Sequence, residues 1–298
     1  MIVFGCAVTD LEIYETYARP GVLRHGEPDS ELLGHQSTGS LMRNYNLLLD
    51  EAQKREDLDA LVLLHQDAEI IDPDFCSKVR AALADPDVAI VGCAGAIGVR
   101  SIAWWEGAVT WASFTHRYQE WGGGDFPAMS WKREETPSFA YTGEVDAIDG
   151  FVMAVSPWAV ENLRFDESLG KIHGYDFDFC CQARTAGKKV VTADLKVVHH
   201  HNLILIRNPE AWMEAHMRTA EKWESLLSPP SSDGAVDWKL RARRAEADAA
   251  AAKGEAVSAQ LQFEALAREY RRLIESSSWR ITEPLRKLRA LLKGSRRG

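Results

Sequence analysis

Ile2-Val3-Phe4-Gly5-Cys6-Ala7-Val8 is an unbroken apolar run of strand length. A strand with one face in water alternates apolar and polar residues. A run without alternation needs cover on both faces, as a parallel sheet between helical layers provides. Leu58 to Leu64 and Val88 to Val91 read as further buried strands, and helix-like segments stand between them. The sequence therefore predicts an α/β fold. In an open sheet of this kind ligands bind beyond the carboxyl ends of the strands. Thr9 and Asp10, after the first run, and His65-Gln66-Asp67, after the second, are accordingly candidate ligand contacts.

The intervening segments carry helix signals. After Gly39, the stretch Ser40 to Ala52 has apolar residues at helical spacing, and Asp72-Pro73-Asp74 starts a helix that runs to about Ala84. Residues 98–142 lack a consistent period but hold five tryptophans, Trp104 among them, and a Gly122-Gly123-Gly124 run. They read as a functional loop in which tryptophan rings are suited to stacking on sugar faces. Val145 to Val155 reads as one strand broken at Asp149-Gly150, where backbone can approach a ligand closely. Pro157 starts a short helix. Lys188 to Val198 is strand-like and runs into His199-His200-His201, a candidate for metal ligation. Pro209 to Leu227 has the pattern of an amphipathic helix.

Between these last segments lies His173-Gly174-Tyr175-Asp176-Phe177-Asp178-Phe179-Cys180. The run that follows is helix-compatible and stops at Gly187, so Tyr175 and Asp176 open a helix, where a carboxylate gains from the positive helix end. Asp176 and Asp178 point about 200° apart on a helix, so one pocket cannot receive both. One is expected to be catalytic and the other structural.

Composition narrows the classes. No apolar run reaches the roughly 20 residues that span a bilayer, and Met1 to Val8 lacks signal-peptide features. The expectation is a cytoplasmic protein. Five cysteines without a Cys-x-x-Cys pair suit reduced, buried thiols. Residues 1–237 carry 20 basic against 37 acidic side chains, a net of -17, whereas residues 238–298 carry 15 against 7, a net of +8. An acidic body is unsuited to nucleic acid. The expected division is a catalytic domain over residues 1–227, a linker over 228–237 and a helical, basic extension over 238–298. Val257, Leu261, Leu266, Tyr270 and Leu273 recur there at helical spacing, as in a coiled coil or partner-binding helix. Residues 276–298, with seven basic side chains against one acid, suit the surface of an anionic membrane.

Taken in order, residues 1–226 resemble a GT-A glycosyltransferase of the family 2 type. The resemblance is carried by the N-terminal strand, the Asn44-Tyr45-Asn46 helix, a strand ending in a variant Asp-x-Asp motif, the Asp-Gly break, and the Gly-x-Asp-x-Asp-Phe-Cys segment before a strand ending in His. Trp279 to Arg286 is similar to the tail of many bacterial surface-polysaccharide transferases. The metal motif here is His65-Gln66-Asp67, which keeps only the last carboxylate; His65 does not replace Asp as a hard-cation ligand.

The resemblance implies a mostly parallel mixed sheet flanked by helices, and transfer of a sugar from a nucleotide-diphosphate sugar to a glycan or lipid-linked acceptor, with inversion. It assigns Asp176 as base and Asp67 and His199 as ligands of Mg²⁺ or Mn²⁺, with His201 as the alternative to His199. Thr9, Asp10, Ser40, Asn44, His65, Gln66 and Asp67 would line the nucleotide, Asp149 and Gly150 the donor sugar, and Tyr175 and Trp104 the acceptor. A metal-dependent phosphodiesterase built on Asp67 and the histidines, and a non-catalytic sugar-binding scaffold, are the alternatives from other classes. The first wants a denser ligand set and the second has no use for Asp176.

Overall fold

The computed structural model describes residues 1–112, 114–116, 142–200, 209–227, 260 and 263–282. The chain divides into two compact units, Met1–Gly254 and Glu255–Gly298. The first unit opens with β1 (Ile2–Val8), α1 (Leu11–Thr16), α2 (Ala18–His25), β2 (Glu31–Gln36), α3 (Leu41–Ala52), β3 (Ala60–Leu64), β4 (Ala68–Ile70), α4 (Phe75–Leu83), β5 (Val88–Gly92) and β6 (Ala94–Ile97). It continues with β7 (Ala108–Ala112), β8 (Phe114–His116), β9 (Gly143–Val145), β10 (Ala147–Ile148), β11 (Val152–Val155), α5 (Pro157–Asn162), α6 (Tyr175–Thr185), β12 (Lys189–Thr192), β13 (Val197–His199) and α7 (Pro209–Lys222). A last turn of helix covers Glu224–Leu227.

Seven strands form the main sheet in the order β2-β1-β3-β11-β5-β12-β9. The β1–β2, β1–β3 and β12–β5 pairs are parallel. β11 runs antiparallel between β3 and β5, and β9 antiparallel to β12. This is the mixed, mostly parallel sheet expected. β1, β3 and β5 are buried along their whole length, as unbroken apolar runs require. α3 buries Met42, Tyr45, Leu48, Leu49 and Ala52 on one side, with Ser40 accepting from the Arg43 amide as its N-cap. All five thiols are free and buried. Among the described residues no helix is long and apolar enough to cross a membrane.

Three expectations change. Part of residues 98–142 is regular: β7 pairs with β6, and β8 lies parallel to β13. Trp104–Glu106 forms a short 3₁₀ turn, while residues 113 and 117–141, including the glycine run, lie outside the described residues. Val145 to Val155 is not one broken strand. β9 and β11 belong to the main sheet, while β10 pairs with β6 in another, because the chain turns at Asp146 and again at Asp149-Gly150. α4 begins at Phe75 with Asp74 at its N-cap, which leaves Pro73 before the helix.

The described part of the second unit is helical over residues 263–275 and Ser277–Ile281, with Phe263, Leu266, Tyr270, Leu273 and Ile281 exposed. The 228–237 linker, the start of the extension and Val257 and Leu261 lie outside the described residues.

Candidate active site

Two exits from the main sheet meet through one glutamine. Gln66, just past β3, accepts with Oε1 from the amides of Thr9 and Asp10, both at 2.8 Å, and donates with Nε2 to Thr9 Oγ1 at 2.9 Å. Asp10 in turn caps α1 by accepting from the Ile13 amide. The side of the site nearest β2 is shaped by Asn44, which is fully buried. Its Oδ1 accepts from the Thr38 amide and its Nδ2 donates to Ser37 Oγ and to the Ser40 carbonyl. What Asn44 presents to a ligand is therefore the folded Ser37–Ser40 loop, since its own polar atoms are occupied.

Past Gln66 stands a cluster that two crossings of the chain create. β13 pairs antiparallel with β4 and sets His199 opposite Ala68, so His199 lies beside Asp67. His199 Nε2 is 3.5 Å and His65 Nδ1 3.9 Å from Asp67 Oδ1. Ligand atoms of the three residues all lie within 4.8 Å of one another. Two groups that bind one ion at about 2.1 Å each stand roughly 3–4 Å apart, so this spacing fits a divalent cation. Phe151 stacks face to face on the buried His199 imidazole, with centroids at 4.3 Å and planes within 5°. His65 Nε2 is 2.7 Å from the Tyr175 hydroxyl, which leaves Nδ1 directed toward Asp67.

His65 was expected to serve the nucleotide alone, yet the structure gathers it with Asp67 and His199. The chain makes a hydrogen-bonded turn here, the Ala68 amide donating to the His65 carbonyl at 3.1 Å, and this turn brings Asp67 back beside His65, which strand spacing does not foretell. His200 points elsewhere: its Nε2 pairs with Glu69 Oε2 at 2.9 Å and its ring stacks on Tyr17 at 3.7 Å. His201 lies outside the described residues.

Asp176 occupies the first turn of α6, next to the Asp149-Gly150 turn. Its two carboxylate oxygens accept from the amides of Phe177 at 2.9 Å and Gly150 at 3.0 Å. Burial, and then the charge of Asp149, push the Asp176 carboxyl up to about 7. Asp149 is itself raised, by burial first, with His199 opposing. It accepts from the Phe151 amide and from the indole N–H of Trp104 at 3.1 Å. The site thus combines a carboxyl poised to exchange a proton near neutrality with a cation-ready group a short distance away.

Tyr175 and Trp104, the expected acceptor contacts, are each only 5% exposed and are bonded to His65 and Asp149 respectively. The exposed ring beside them is Trp105, edge-on to Trp104 at 6.3 Å. Asp178 is fully buried and turned away from Asp176, held by Lys222, Trp223 and Gln182.

Gly150 is where side-chain size decides the geometry. A Cβ there would stand 2.5 Å from the Tyr175 hydroxyl and 2.6 Å from Asp176 Cβ. Gly150→Ala should therefore lower stability by about 1–3 kcal/mol, as overpacking does, and displace both side chains. Urea unfolding checks this, and an unchanged midpoint would show that the turn has room to spare.

The model of the glycosyltransferase-like family matches residues 29–221. The streptomycin biosynthesis protein StrF of Streptomyces griseus is 29% identical over 203 residues, covering 68% of this chain and 67% of its own. Among solved structures, the mannosyltransferase PcManGT of Pyrobaculum calidifontis, in complex with GDP-Man and Mn²⁺, is similar at 14% identity and a TM-score of 0.47, over 94% of this chain and 81% of that one. GalNAc-T7 with UDP, GalNAc and Mn²⁺ is similar at 11% identity and a TM-score of 0.48, over 83% and 54%. With the matched family model spanning more than half of the chain, this protein belongs to the glycosyltransferase-like family.

Proposed function

We propose that the chain is an inverting glycosyltransferase that uses a nucleoside diphosphate sugar and a divalent cation, with Asp176 as general base. The observation that carries this reading is the arrangement of Asp176. It is a largely buried carboxyl, raised to about 7, fixed by two backbone amides, and set beside the Asp149-Gly150 turn and the His65–Asp67–His199 group. A base working near neutral pH wants such a value. In the single displacement Asp176 takes the acceptor hydroxyl proton as the acceptor oxygen bonds to the anomeric carbon. The bond from that carbon to the phosphate oxygen breaks, and the nucleoside diphosphate leaves with its electron pair.

His65, Asp67 and His199 would hold the cation, which when bound offsets negative charge on the departing diphosphate. Thr9 and Asp10, tied to Gln66, and the Ser37–Ser40 loop would line the nucleotide. The Asp149-Gly150 turn would meet the donor sugar. A hydrolase reading is weaker, because the described residues offer one three-membered ligand group and no second group for a two-metal centre. We assign the acceptor to the glycan or lipid-linked class. The extension from residue 238 we read as a partner- or membrane-facing element, supported by its basic charge and by the exposed Phe263, Leu266, Tyr270 and Leu273.

Thermal melting with UDP, dTDP and GDP, each with and without Mn²⁺, tests the reading. At 100 times its dissociation constant the matching nucleotide should stabilise the protein by about 2.7 kcal/mol, a rise of roughly 5–10 °C, and only with the ion. A chain ending at Leu227 should show the same rise. No rise with any of the three at millimolar concentration would sink the proposal.

A further inference from the structure

Asp178, two residues on from Asp176, does not simply turn away but carries its carboxylate into the interior. At 0% exposure, its Oδ1 accepts from Lys222 Nζ at 2.7 Å and from the Trp223 indole N–H at 2.8 Å, while Oδ2 accepts from Gln182 Nε2 at 2.7 Å. Lys222 also reaches Asp166 Oδ2 at 2.6 Å, and Asp166 caps the turn at Glu167–Leu169 by accepting from the Ser168 amide. Arg218, one turn earlier on α7, donates to the Ser168 carbonyl. The end of α7 thus grips both ends of the segment 166–178.

Inside that segment lies the loop that delivers Asp176. Gly170 and Gly174 both have positive φ, 137° and 78°, so the loop is built from residues with wide backbone freedom. Gly174, the N-cap of α6, supplies no side-chain cap, so the first turn is tied down by side chains that reach out of it: Tyr175 to His65, Asp176 to the Gly150 amide, and Asp178 to Lys222 and Trp223. Asp178 is fully buried while the Lys222 side chain keeps 30% of its surface in solvent, so taking the ammonium away would leave a buried carboxylate without its countercharge.

We propose that Lys222, with Trp223, is a positioning residue for the transfer reaction: it holds the Asp166–Asp178 segment in the placement where Asp176 meets the Gly150 amide. This rests on Asp176 acting as the base. Lys222 itself touches neither donor nor acceptor in this scheme.

The amides of Gly150 and Phe177 donate to the Asp176 carboxylate, so their hydrogen exchange reports its placement without any substrate. In the full-length protein, Lys222→Met should speed exchange at these two amides by about tenfold or more while the amides of Leu61 to Leu64 keep their protection. Lys222→Arg, which keeps the cation, should restore it. Should Lys222→Met fail to fold, Trp223→Phe serves instead, since it removes the indole N–H on Asp178 and leaves a smaller aromatic ring in its place. Unchanged exchange at Gly150 and Phe177, or equal loosening at Leu61 to Leu64, would overturn the proposal, the second because Lys222 would then serve global stability alone. Turnover of Asp176→Asn separates the two readings. An inactive Asp176→Asn beside unchanged exchange in Lys222→Met removes the clamp and keeps the base. A fully active Asp176→Asn beside loosened exchange removes the base and supports the clamp.

Discussion

Asp176→Asn should lose about 10²–10⁴ of the transfer rate while nucleotide binding stays close to wild type. The carboxyl is held by the amides of Gly150 and Phe177, and an asparagine oxygen can accept from only one of them. Side-chain size and one of the two bonds are kept, so the fold should survive while the proton acceptor is lost. Because the wild-type carboxyl titrates at about 7, the rate should climb with pH up to that value and level off above it.

Stability should move the other way. A carboxyl raised above its unfolded value of 3.8 contributes its full stability below that value, and this is lost as pH rises through about 7. The folded wild type is thus burdened by an ionised, poorly solvated group at alkaline pH, and asparagine is not. In buffer with EDTA, Asp176→Asn should melt higher than wild type at roughly pH 8.5 and should lose that advantage at roughly pH 5. Wild-type turnover in the variant, or an advantage confined to acid, would mean that the proton is taken elsewhere.

The part of this arrangement that the sequence made legible is the part written in local pattern. β1, β3 and β5 are apolar on both faces and could be read directly, and the polar residues that follow β1 and β3 meet through Gln66. β2 and the two helices before it were not legible. β2 is an edge strand, partly exposed along Glu31–Gln36, and carries no unbroken apolar run. The segment Val145–Val155 looks continuous because hydrophobicity records burial and says nothing about which sheet a residue joins.

The same limit applies at the site. The pair Asp176 and Asp178 could be split by helix geometry, and Asp178 is indeed turned away. That its partners are Lys222 and Trp223, at the far end of another helix, is a fact of packing that no local spacing encodes. His65 is the intermediate case. Its spacing from Asp67 was visible, but its direction is set by the Tyr175 hydroxyl, which comes from α6.

Asp67→Asn should abolish the ion-dependent part of nucleotide binding, and the histidines should divide sharply around it. Asp67 supplies the one carboxylate in a group otherwise made of imidazoles, His65 and His199. Without its charge the loss should equal the whole ion-dependent stabilisation, about 2.7 kcal/mol when the nucleotide stands at 100 times its dissociation constant. His199→Ala should approach the same loss, because the imidazole is buried against Phe151 beside Asp67. Nitrogen ligands favour transition metals over magnesium, so wild type should prefer Mn²⁺ to Mg²⁺, and His65→Ala should narrow that preference more than it weakens Mg²⁺ binding. His200→Ala is the matched control: it removes a neighbouring imidazole that is committed to Glu69 and Tyr17. Titration of Mn²⁺ followed by its electron paramagnetic resonance signal, with UDP, dTDP or GDP present, measures all four variants on one scale. If His200→Ala lost the ion while Asp67→Asn and His199→Ala kept it, the cation would sit on the Glu69 side of the β4–β13 ribbon, and the assigned ligand set would be wrong.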